Sequence, residues 1–470
     1  MEQVALEKLV KQLLNEELQL GNQPTMRVAS VGTSIGSGVF NTVDEAVTAA
    51  VLAQDKFEDL TLAKRSEAIN AIREAMLPKA CELARRSVEE TGLGNVPDKT
   101  IKNRIAIVGT PGVEDLATNV KTGDHGMTLL ELSPYGVVGA ITPSTNPTET
   151  IISNTIGMLA AGNAIFFAPH PSAKMVCISL IEELNCIVRD VIGIDNLIVT
   201  TREPSIANAQ ELMNHPEVPI LVVTGGPGVV AQAMRSGKKA LGAGAGNPPV
   251  IVDETATIEE AAKAIVDGAS FDHGILCVAE KSVIAVEGIA DYLMKQMEKN
   301  NALRLKDPSD VTKLKAAVLV DGEINKRLIG KSAVEILNAA GISYSGTPRL
   351  IVFEAAKNDS LVVLEQLMPV LPVVRVQDFD EALKTAIFVE EGLYHTAIMH
   401  SQNISRLNKA ARKLQTSIFV KNGPSYAGLG FEGEGAVTYT IATPTGEGTT
   451  TARHFARTRR CVLTDGFSIR

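Results

Sequence analysis

The sequence predicts an α/β protein built around a largely parallel β-sheet. Short runs rich in Val and Ile alternate along the chain with longer helical segments, which is the pattern of strand, helix and parallel strand. The chain has 470 residues, 45% hydrophobic and 21% charged, so it can bury sizeable cores and is not expected to be disordered. Its length suggests roughly two to four domains.

Residues 1–20 place Val and Leu at helical spacing between Glu and Lys, which predicts one amphipathic helix. The Gly-, Ser- and Pro-containing stretch 21–40 predicts a flexible linker. A helix held away from the body could bind a partner through its apolar face, or it could fold back onto the body. Membrane docking is the weakest alternative because its polar face has few positive charges, and its acidic residues argue against a targeting signal.

The body begins with helices and continues with alternating elements. Thr42 reads as an N-cap followed by the acidic residues Asp44 and Glu45, and alanine-rich helices run on to about residue 90. Strands are then predicted at 127–132, 137–141, 164–167, 197–199, 220–223, 250–252 and 282–286, and helices at 149–161, 173–192 and 258–267.

Charge and cysteine usage exclude several classes of protein. Forty-five Lys and Arg against 54 Asp and Glu give a net charge of −9, which offers no basic surface for nucleic acid. Five cysteines without a CxxC pair form neither a disulfide framework nor a zinc ribbon, and we predict no metal site. No apolar run reaches the ~18 residues of a membrane span. We expect a soluble, cytoplasmic protein without nucleic-acid or membrane partners.

Two glycine-rich segments follow predicted strands. Gly225, Gly226 and Gly228 lie in TGGPG between a strand and a helix, where backbone N–H groups could bind a phosphate; a plain tight turn is the alternative. The loop 242–249, GAGAGNPP, directly precedes a buried strand. Its alternating glycines predict that something flat or bulky lies against it.

Cys277 and Asn146 are the candidates for chemistry. Cys277 follows a glycine-containing loop, and it is either a nucleophile or one of the buried structural thiols that are commoner in proteins. Asn146 lies in the polar loop 142–149 after a strand. Its amide could stabilise an oxyanion, although asparagine is also an ordinary turn residue.

Taken together with PHPS at 169–172, EQLMP at 365–369 and SIFVKNGPSY at 417–426, these motifs resemble the aldehyde dehydrogenase superfamily. The resemblance covers nearly the whole chain and is strongest to the CoA-acylating branch, in particular to the propionaldehyde dehydrogenases of bacterial 1,2-propanediol-degrading microcompartments. It implies the aldehyde dehydrogenase fold: a Rossmann-like cofactor domain, an α/β catalytic domain and a small β oligomerisation extension. The cofactor domain would comprise residues 41–119 and 136–241. The catalytic domain would comprise 242–439, with its end partly returning to the cofactor domain. The oligomerisation extension would comprise 120–135 and 440–470.

The same resemblance implies roles for individual residues. Cys277 matches the catalytic thiol, Asn146 the amide that holds the oxyanion together with the Cys277 N–H, and Glu365 the glutamate that binds the nicotinamide-side ribose. The implied NAD-binding set is Thr142, Pro143, Ser144, Pro169, His170, Gly225, Gly226, Gly228, Gly244, Ala245, Gly246, Glu365 and Pro369. The segment 166–171 lacks the lysine that hydrolytic members use beside the adenine ribose.

Hydrolytic relatives also place a glutamate in the loop that corresponds to 242–249, where this sequence has only Gly, Ala, Asn and Pro. Without that base a thioester on Cys277 is better suited to transfer to a thiol than to water. The resemblance therefore implies oxidation of propanal with NAD and CoA to propanoyl-CoA. Acetaldehyde is the second candidate substrate, and a hydrolytic semialdehyde dehydrogenase or a catalytically silent scaffold are further alternatives.

The resemblance extends to partners. Residues 1–20 are similar to the encapsulation peptides that dock such enzymes to shell proteins, which implies a place in the lumen of a bacterial microcompartment. A homodimer or homotetramer is implied on the same ground.

Overall fold

The computed structural model describes residues 37–467 and 469. The predicted helix 1–20 and most of the predicted linker lie outside the described residues. Val39 and Phe40, assigned to the linker from the sequence, instead form a buried strand that pairs in parallel with Ile198–Thr201. The linker boundary predicted at residue 40 is therefore wrong, because two apolar residues at the end of a Gly- and Ser-rich stretch complete a sheet.

The described strands and helices, numbered in chain order, are as follows. The strands are β1 (Val39–Phe40), β2 (Asn119–Gly123), β3 (Gly126–Pro134), β4 (Val137–Thr142), β5 (Ala164–Pro169), β6 (Ile198–Thr201), β7 (Ile220–Thr224), β8 (Lys239–Ala243), β9 (Pro249–Val252), β10 (Ser282–Val286), β11 (Ala302–Leu305), β12 (Leu319–Val320), β13 (Glu323–Ile324), β14 (Leu350–Glu354), β15 (Val370–Val376), β16 (Thr396–His400), β17 (Ile418–Lys421), β18 (Ile441–Ala442), β19 (Gly448–Thr449) and β20 (Ala456–Thr464). The helices are α1 (Val43–Glu58), α2 (Leu62–Met76), α3 (Ala80–Thr91), α4 (Val96–Gly109), α5 (Pro147–Ala160), α6 (Lys174–Ile192), α7 (Ile206–Asn214), α8 (Pro227–Arg235), α9 (Ile258–Ser270), α10 (Glu287–Lys299), α11 (Pro308–Val318), α12 (Ala333–Ala340), α13 (Ser360–Val363), α14 (Phe379–Glu390) and α15 (Ile404–Leu414).

The strands and helices predicted between residues 42 and 286 all have counterparts, and most of their ends differ by one to a few residues. Thr42 caps α1, accepting from the Glu45 N–H at 3.2 Å while the Glu45 carboxylate accepts from the Thr42 N–H. Helix α4 was not predicted. It begins behind the N-cap Asn95, with Pro97 in its first turn, but it buries polar side chains, so it lacks the apolar stripe by which helices are recognised.

A six-stranded parallel sheet has the order β1-β6-β5-β4-β7-β8. The chain passes from β4 outward through β5 to β6 and then returns to place β7 on the other side of β4. Strand order therefore reverses between β4 and β7, and ligands of open parallel sheets bind outside the carboxyl ends of the strands at such a point.

A seven-stranded parallel sheet has the order β11-β14-β15-β10-β9-β16-β17. Its central strands β9 and β10 are buried throughout, as are the central strands of the six-stranded sheet. Val138 and Ile165 of one sheet belong to the same apolar core as Val250 and Val283 of the other. The predicted α/β architecture with parallel sheets is confirmed.

A three-stranded antiparallel sheet has the order β2-β3-β20, and the outer strand β20 is largely exposed. The stretch 440–455, assigned to the extension from the sequence, lies elsewhere. Ile441 and Ala442 are buried in the main core, and the Gly242 N–H donates to Thr445 Oγ1 at 3.1 Å. The C-terminal part of the extension therefore begins at Ala456, because the apolar residues before it pack on the six-stranded sheet.

No helix among the described residues combines the length and apolarity that a bilayer crossing requires.

Candidate active site

Two adjoining cavities open at the carboxyl ends of β4 and β7. The first, called here the Cys277 cavity, has a volume of about 260 Å³ and is lined by Ser144, Asn146, Cys277, Glu365 and His395 among others. The second, the switch-point cavity, has a volume of about 610 Å³ and extends beyond the carboxyl end of β5 to helix α7. Pro143, His170, Gly225 and Gly226 line both, so the two cavities share a wall.

Most of the residues predicted for the site lie on these two cavities. The Cys277 cavity is lined by Pro143, Ser144, Asn146, His170, Gly225, Gly226, Gly244, Ala245, Cys277 and Glu365, and the switch-point cavity by Thr142, Pro143, Pro169, His170, Gly225, Gly226 and Gly228. Gly246 and Pro369 are buried and line neither cavity. The Gly246 N–H donates to Glu365 Oε1 at 3.2 Å, and the Pro369 carbonyl accepts from the Ile351 N–H at 3.0 Å.

The switch-point cavity fits a dinucleotide. Gly226 is the N-cap of α8, whose first N–H groups face the carboxyl end of β7, and a helix N-terminus favours an anion such as a pyrophosphate. A Cβ atom on Gly226 or Gly228 would meet nothing within 4 Å, so the backbone there is open to a ligand. Ile206, Met213 and Val229 add an apolar wall suited to a nucleobase.

The loop 242–249 approaches its neighbours as closely as its glycines predict. A Cβ on Gly246 would lie 2.7 Å from Cγ of the His395 ring and 2.9 Å from the Cys277 carbonyl oxygen. The predicted flat group is the His395 imidazole, and glycine at 246 lets the loop, the imidazole and the Cys277 backbone converge.

Asn146 has an unusual role for a helix N-cap residue. It precedes α5 directly, with Pro147 at the first helical position, but its side chain accepts no backbone N–H of the helix. Instead its Oδ1 accepts from Lys102 Nζ at 2.5 Å, and its Nδ2 donates to Thr145 Oγ1 at 3.3 Å. Because an ammonium group only donates hydrogen bonds, the atom that faces Lys102 must be the carbonyl oxygen of the amide.

Four charged side chains with no exposed surface lie behind Asn146. Asp272 Oδ2 accepts from Lys102 Nζ at 2.5 Å and from Lys99 Nζ at 3.0 Å, and Lys102 Nζ lies 3.3 Å from Glu149 Oε1. Burial opposes the charge on Asp272, but the two lysines outweigh it and lower the pKa of Asp272. Burial also opposes the charge on Lys102, yet Asp272 and Glu149 keep its pKa above the ordinary value. No motif in the sequence predicts this cluster.

The Cys277 thiol is protonated at neutral pH. Burial, and secondarily the charge of Glu365, raise the pKa of Cys277 to about 12, while Lys281 and the N–H groups of Cys277 and Val278 act in the opposite direction. Lys281 is itself buried and donates to the Gly274 carbonyl at 2.6 Å. A thiol in this state reacts only when a nearby base takes its proton.

His395, which no motif in the sequence predicts, is the neutral imidazole that lines the same cavity. Burial, and then the charge of Lys281, lower the pKa of His395 to about 4, so its ring is neutral at pH 7. Nδ1 lies 2.9 Å from Thr396 Oγ1, and Nε2 has no hydrogen-bond partner among the described residues. Glu365 is the only carboxylate among the residues that line the Cys277 cavity, and it bonds the Gly246 N–H.

The Cys277 cavity brings together a half-buried thiol, an amide donor and a neutral imidazole, and it adjoins the larger switch-point cavity. These groups suit attack of the thiol on a carbonyl carbon followed by hydride transfer to a bound dinucleotide. The model of the aldehyde dehydrogenase family matches residues 29–435, and the chain belongs to that family.

Within the family, the chain is 54% identical to a CoA-propanoylating propanal dehydrogenase of Salmonella typhimurium over 466 residues, 99% of each chain. It is 50% identical to Rhodopseudomonas palustris propionaldehyde dehydrogenase, solved with bound CoA and an acylated cysteine, with a TM-score of 0.91 over 92% of this chain and 99% of that one. A propionaldehyde dehydrogenase from the fucose utilisation microcompartment of Clostridium phytofermentans is 43% identical, with a TM-score of 0.90 over 92% of this chain and all of the other.

Proposed function

We propose that the protein oxidises propanal with NAD and CoA to propanoyl-CoA and NADH through a thioester on Cys277. The observation that carries the proposal is the convergence of Cys277, Asn146 and the unpartnered His395 nitrogen on one cavity beside a phosphate-binding turn. The activity of the relative that shares 54% of its residues with this chain supports the substrate.

The first step forms a carbon–sulfur bond. The Cys277 sulfur attacks the aldehyde carbon while its proton passes to His395 Nε2, so that no free thiolate has to form first, and the carbonyl oxygen becomes an alkoxide. Asn146 Nδ2 and the Cys277 N–H donate to that oxygen, which lowers the barrier because the donors are already oriented before charge develops.

Collapse of the alkoxide restores the carbonyl and releases a hydride, leaving a thioester on Cys277. NAD, held at the Gly225–Gly228 turn and by Glu365, supplies the hydride acceptor when bound. Gly225, Gly226 and Glu365 all border the Cys277 cavity, so they would hold the dinucleotide beside the thiol.

The second half of the reaction transfers the acyl group. Gly244 and Ala245 line the cavity where a hydrolytic base would project, so no carboxylate of that loop can activate water. His395 is instead placed to take the proton of the CoA thiol, whose sulfur attacks the thioester carbon and expels the Cys277 thiolate.

An assay of NADH formation from acetaldehyde, propanal and butanal, with and without CoA, tests this function. We expect sustained NADH only with CoA, the highest kcat/KM for propanal, and no activity in Cys277→Ala. Steady turnover without CoA would establish a hydrolytic enzyme instead, and a higher kcat/KM for acetaldehyde would overturn the choice of propanal.

We further propose that residues 1–20 dock the enzyme to microcompartment shell proteins. The amphipathic pattern of this segment and the microcompartment origin of a relative 43% identical to the chain support the proposal. Deleting residues 1–20 should leave kcat and KM unchanged and abolish co-purification with shell proteins. Loss of catalysis, or retained co-purification, would contradict it.

We also propose a homodimer or homotetramer assembled through β20. Val462 and Leu463 on this outer strand are 55% and 46% exposed, so each face of the strand presents one large apolar side chain to solvent. Replacing both with Glu should reduce the mass measured by light scattering to that of a smaller assembly. An unchanged mass would rule out this strand as the interface.

A further inference from the structure

We propose that Lys102 is a positioning residue that sets the orientation of the Asn146 amide and, through Asp272, ties it to the loop that carries Cys277. The inference rests on the proposed oxyanion role of Asn146. It concerns the four buried charged side chains behind Asn146, which take no part in the proposed reaction steps.

The contact at Asn146 decides which end of the amide is available. Lys102 Nζ donates to Oδ1, so Nδ2, the group that can stabilise an oxyanion, stays oriented away from the ammonium. Without Lys102, Oδ1 could accept the free N–H groups at the start of α5, as asparagine does at most N-caps, or the amide could turn and present Oδ1 to the substrate oxygen. Either change removes the donor from the reacting atom.

The contact at Asp272 connects the same lysine to the nucleophile. Asp272 lies five residues before Cys277 and, like His273 after it, adopts a left-handed backbone, with φ of 48° and 56°. Such values are unfavourable for residues with a side chain and persist only where neighbours hold them. Here the Asp272 N–H donates to Asp98 Oδ2 at 2.7 Å, and its carboxylate accepts from the Asn95 N–H at 2.8 Å.

Helix α4 and its N-cap residue therefore contact both the Asn146 amide and the loop that precedes Cys277. Its N-terminal residues fix the loop before Cys277, and Lys102, one turn further on, reaches Asn146 and Asp272 at once. Buried ion pairs frequently add little stability compared with apolar side chains of the same size. A geometric role accounts for the burial of Lys102 better than stability does.

Lys99 provides a matched control. It lies one turn before Lys102 on α4, is equally buried and also binds Asp272, but its other bond goes to the Thr145 carbonyl at 2.8 Å and not to Asn146. Lys99→Met and Lys102→Met remove the same charge from the same cluster, and only the second removes the contact with the Asn146 amide.

The experiment compares kcat and KM for NADH formation from propanal, with thermal melting, in five variants. These are Lys99→Met, Lys102→Met, Asn146→Ala, Lys102→Met with Asn146→Ala, and Lys102→Met with Glu149→Gln. The last keeps the cluster neutral, because it removes one positive and one negative charge, and it replaces Lys102→Met in every comparison if that variant does not fold.

We expect Lys102→Met to lower kcat by about tenfold to a hundredfold with little change in the KM for propanal, and Lys99→Met to stay within about threefold of the wild type. Adding Lys102→Met to Asn146→Ala should lower kcat no further, because the group that the lysine orients is gone.

Other results overturn the inference. Equal losses in Lys99→Met and Lys102→Met would show that the cluster acts through stability alone. A loss from Lys102→Met that multiplies with that of Asn146→Ala would show that the lysine acts independently of the amide. If Asn146→Ala keeps full kcat, the oxyanion role itself fails, and the positioning role fails with it.

Discussion

Replacing Glu365 and Lys281 one at a time should move the pKa of Cys277 in opposite directions. Glu365→Gln removes the negative charge that adds to burial in raising the pKa of the thiol, and Lys281→Met removes the positive charge that lowers it. The first variant should therefore react faster with an alkylating agent than the wild type, and the second more slowly.

The size of the effect follows from the environment of the thiol. A pKa raised from 9.0 to about 12 leaves roughly one thiolate in ten thousand at pH 8. Removing one nearby charge moves a pKa by about one unit, which changes the thiolate fraction about tenfold. Because the nucleophilicity of a thiolate falls as its pKa falls, with a Brønsted slope of about 0.4 to 0.5, the net change in alkylation rate is about threefold each way.

The assay is alkylation of the NAD-free enzyme by iodoacetamide at pH 8, followed by mass spectrometry of the Cys277 peptide. Measuring one peptide separates Cys277 from the exposed thiols of Cys81 and Cys461. Glu323→Gln, an exposed carboxylate on β13, is the charge-matched control and should react at the wild-type rate. Shifts of the same sign in Glu365→Gln and Lys281→Met would refute the electrostatic account.

Three further predictions follow from the site. Asn146→Ala should lower kcat by roughly 100- to 1,000-fold without a change in melting temperature, and near-normal turnover would contradict its oxyanion role. His395→Ala should slow the decay of the acyl-enzyme with CoA by about 100-fold in rapid-quench measurements, and an unchanged decay would exclude it as the base. Burial raises the pKa of Glu280 to about 7, so its stabilising contribution is complete below about pH 4.5 and is lost, by about 3 kcal/mol, as pH rises to 7. Glu280→Gln has no carboxyl to titrate, so its free energy of unfolding, measured in urea at pH 5.5 and pH 8, should fall less than that of the wild type. Identical losses would contradict the raised pKa of Glu280.

Most of the fold and part of the site could be predicted from the sequence, for physical reasons. Runs such as 220–223 are short and apolar because both faces of a parallel strand are covered, and glycines at 225 and 226 mark the turn that follows. The close approach at Gly246 could be predicted from the alternating glycines of loop 242–249, because a glycine leaves space that a neighbouring group can occupy.

Helix α4 and His395 could not be predicted because each buries polar groups, and the sequence patterns that indicate burial consist of apolar residues. Helix α4 buries Lys99 and Lys102, so its inward face reads as solvent-exposed, and only partners distant in sequence, such as Asp272, make that burial possible. His395 stands directly before β16 with no motif around it, and its neutral state arises from burial that a single sequence does not display. The start of the oligomerisation extension predicted at residue 440 was wrong because Ile441 and Ala442 of β18 pack in the main core. That packing depends on residues distant in sequence.

The most direct test of the Cys277 thioester is a single-turnover experiment with NAD and propanal in the absence of CoA. We expect a burst of one NADH per Cys277, a propanoyl adduct on the Cys277 peptide, and release of propanoyl-CoA when CoA is added. Continuous NADH formation without CoA, with free propanoate as product and no adduct, would contradict it.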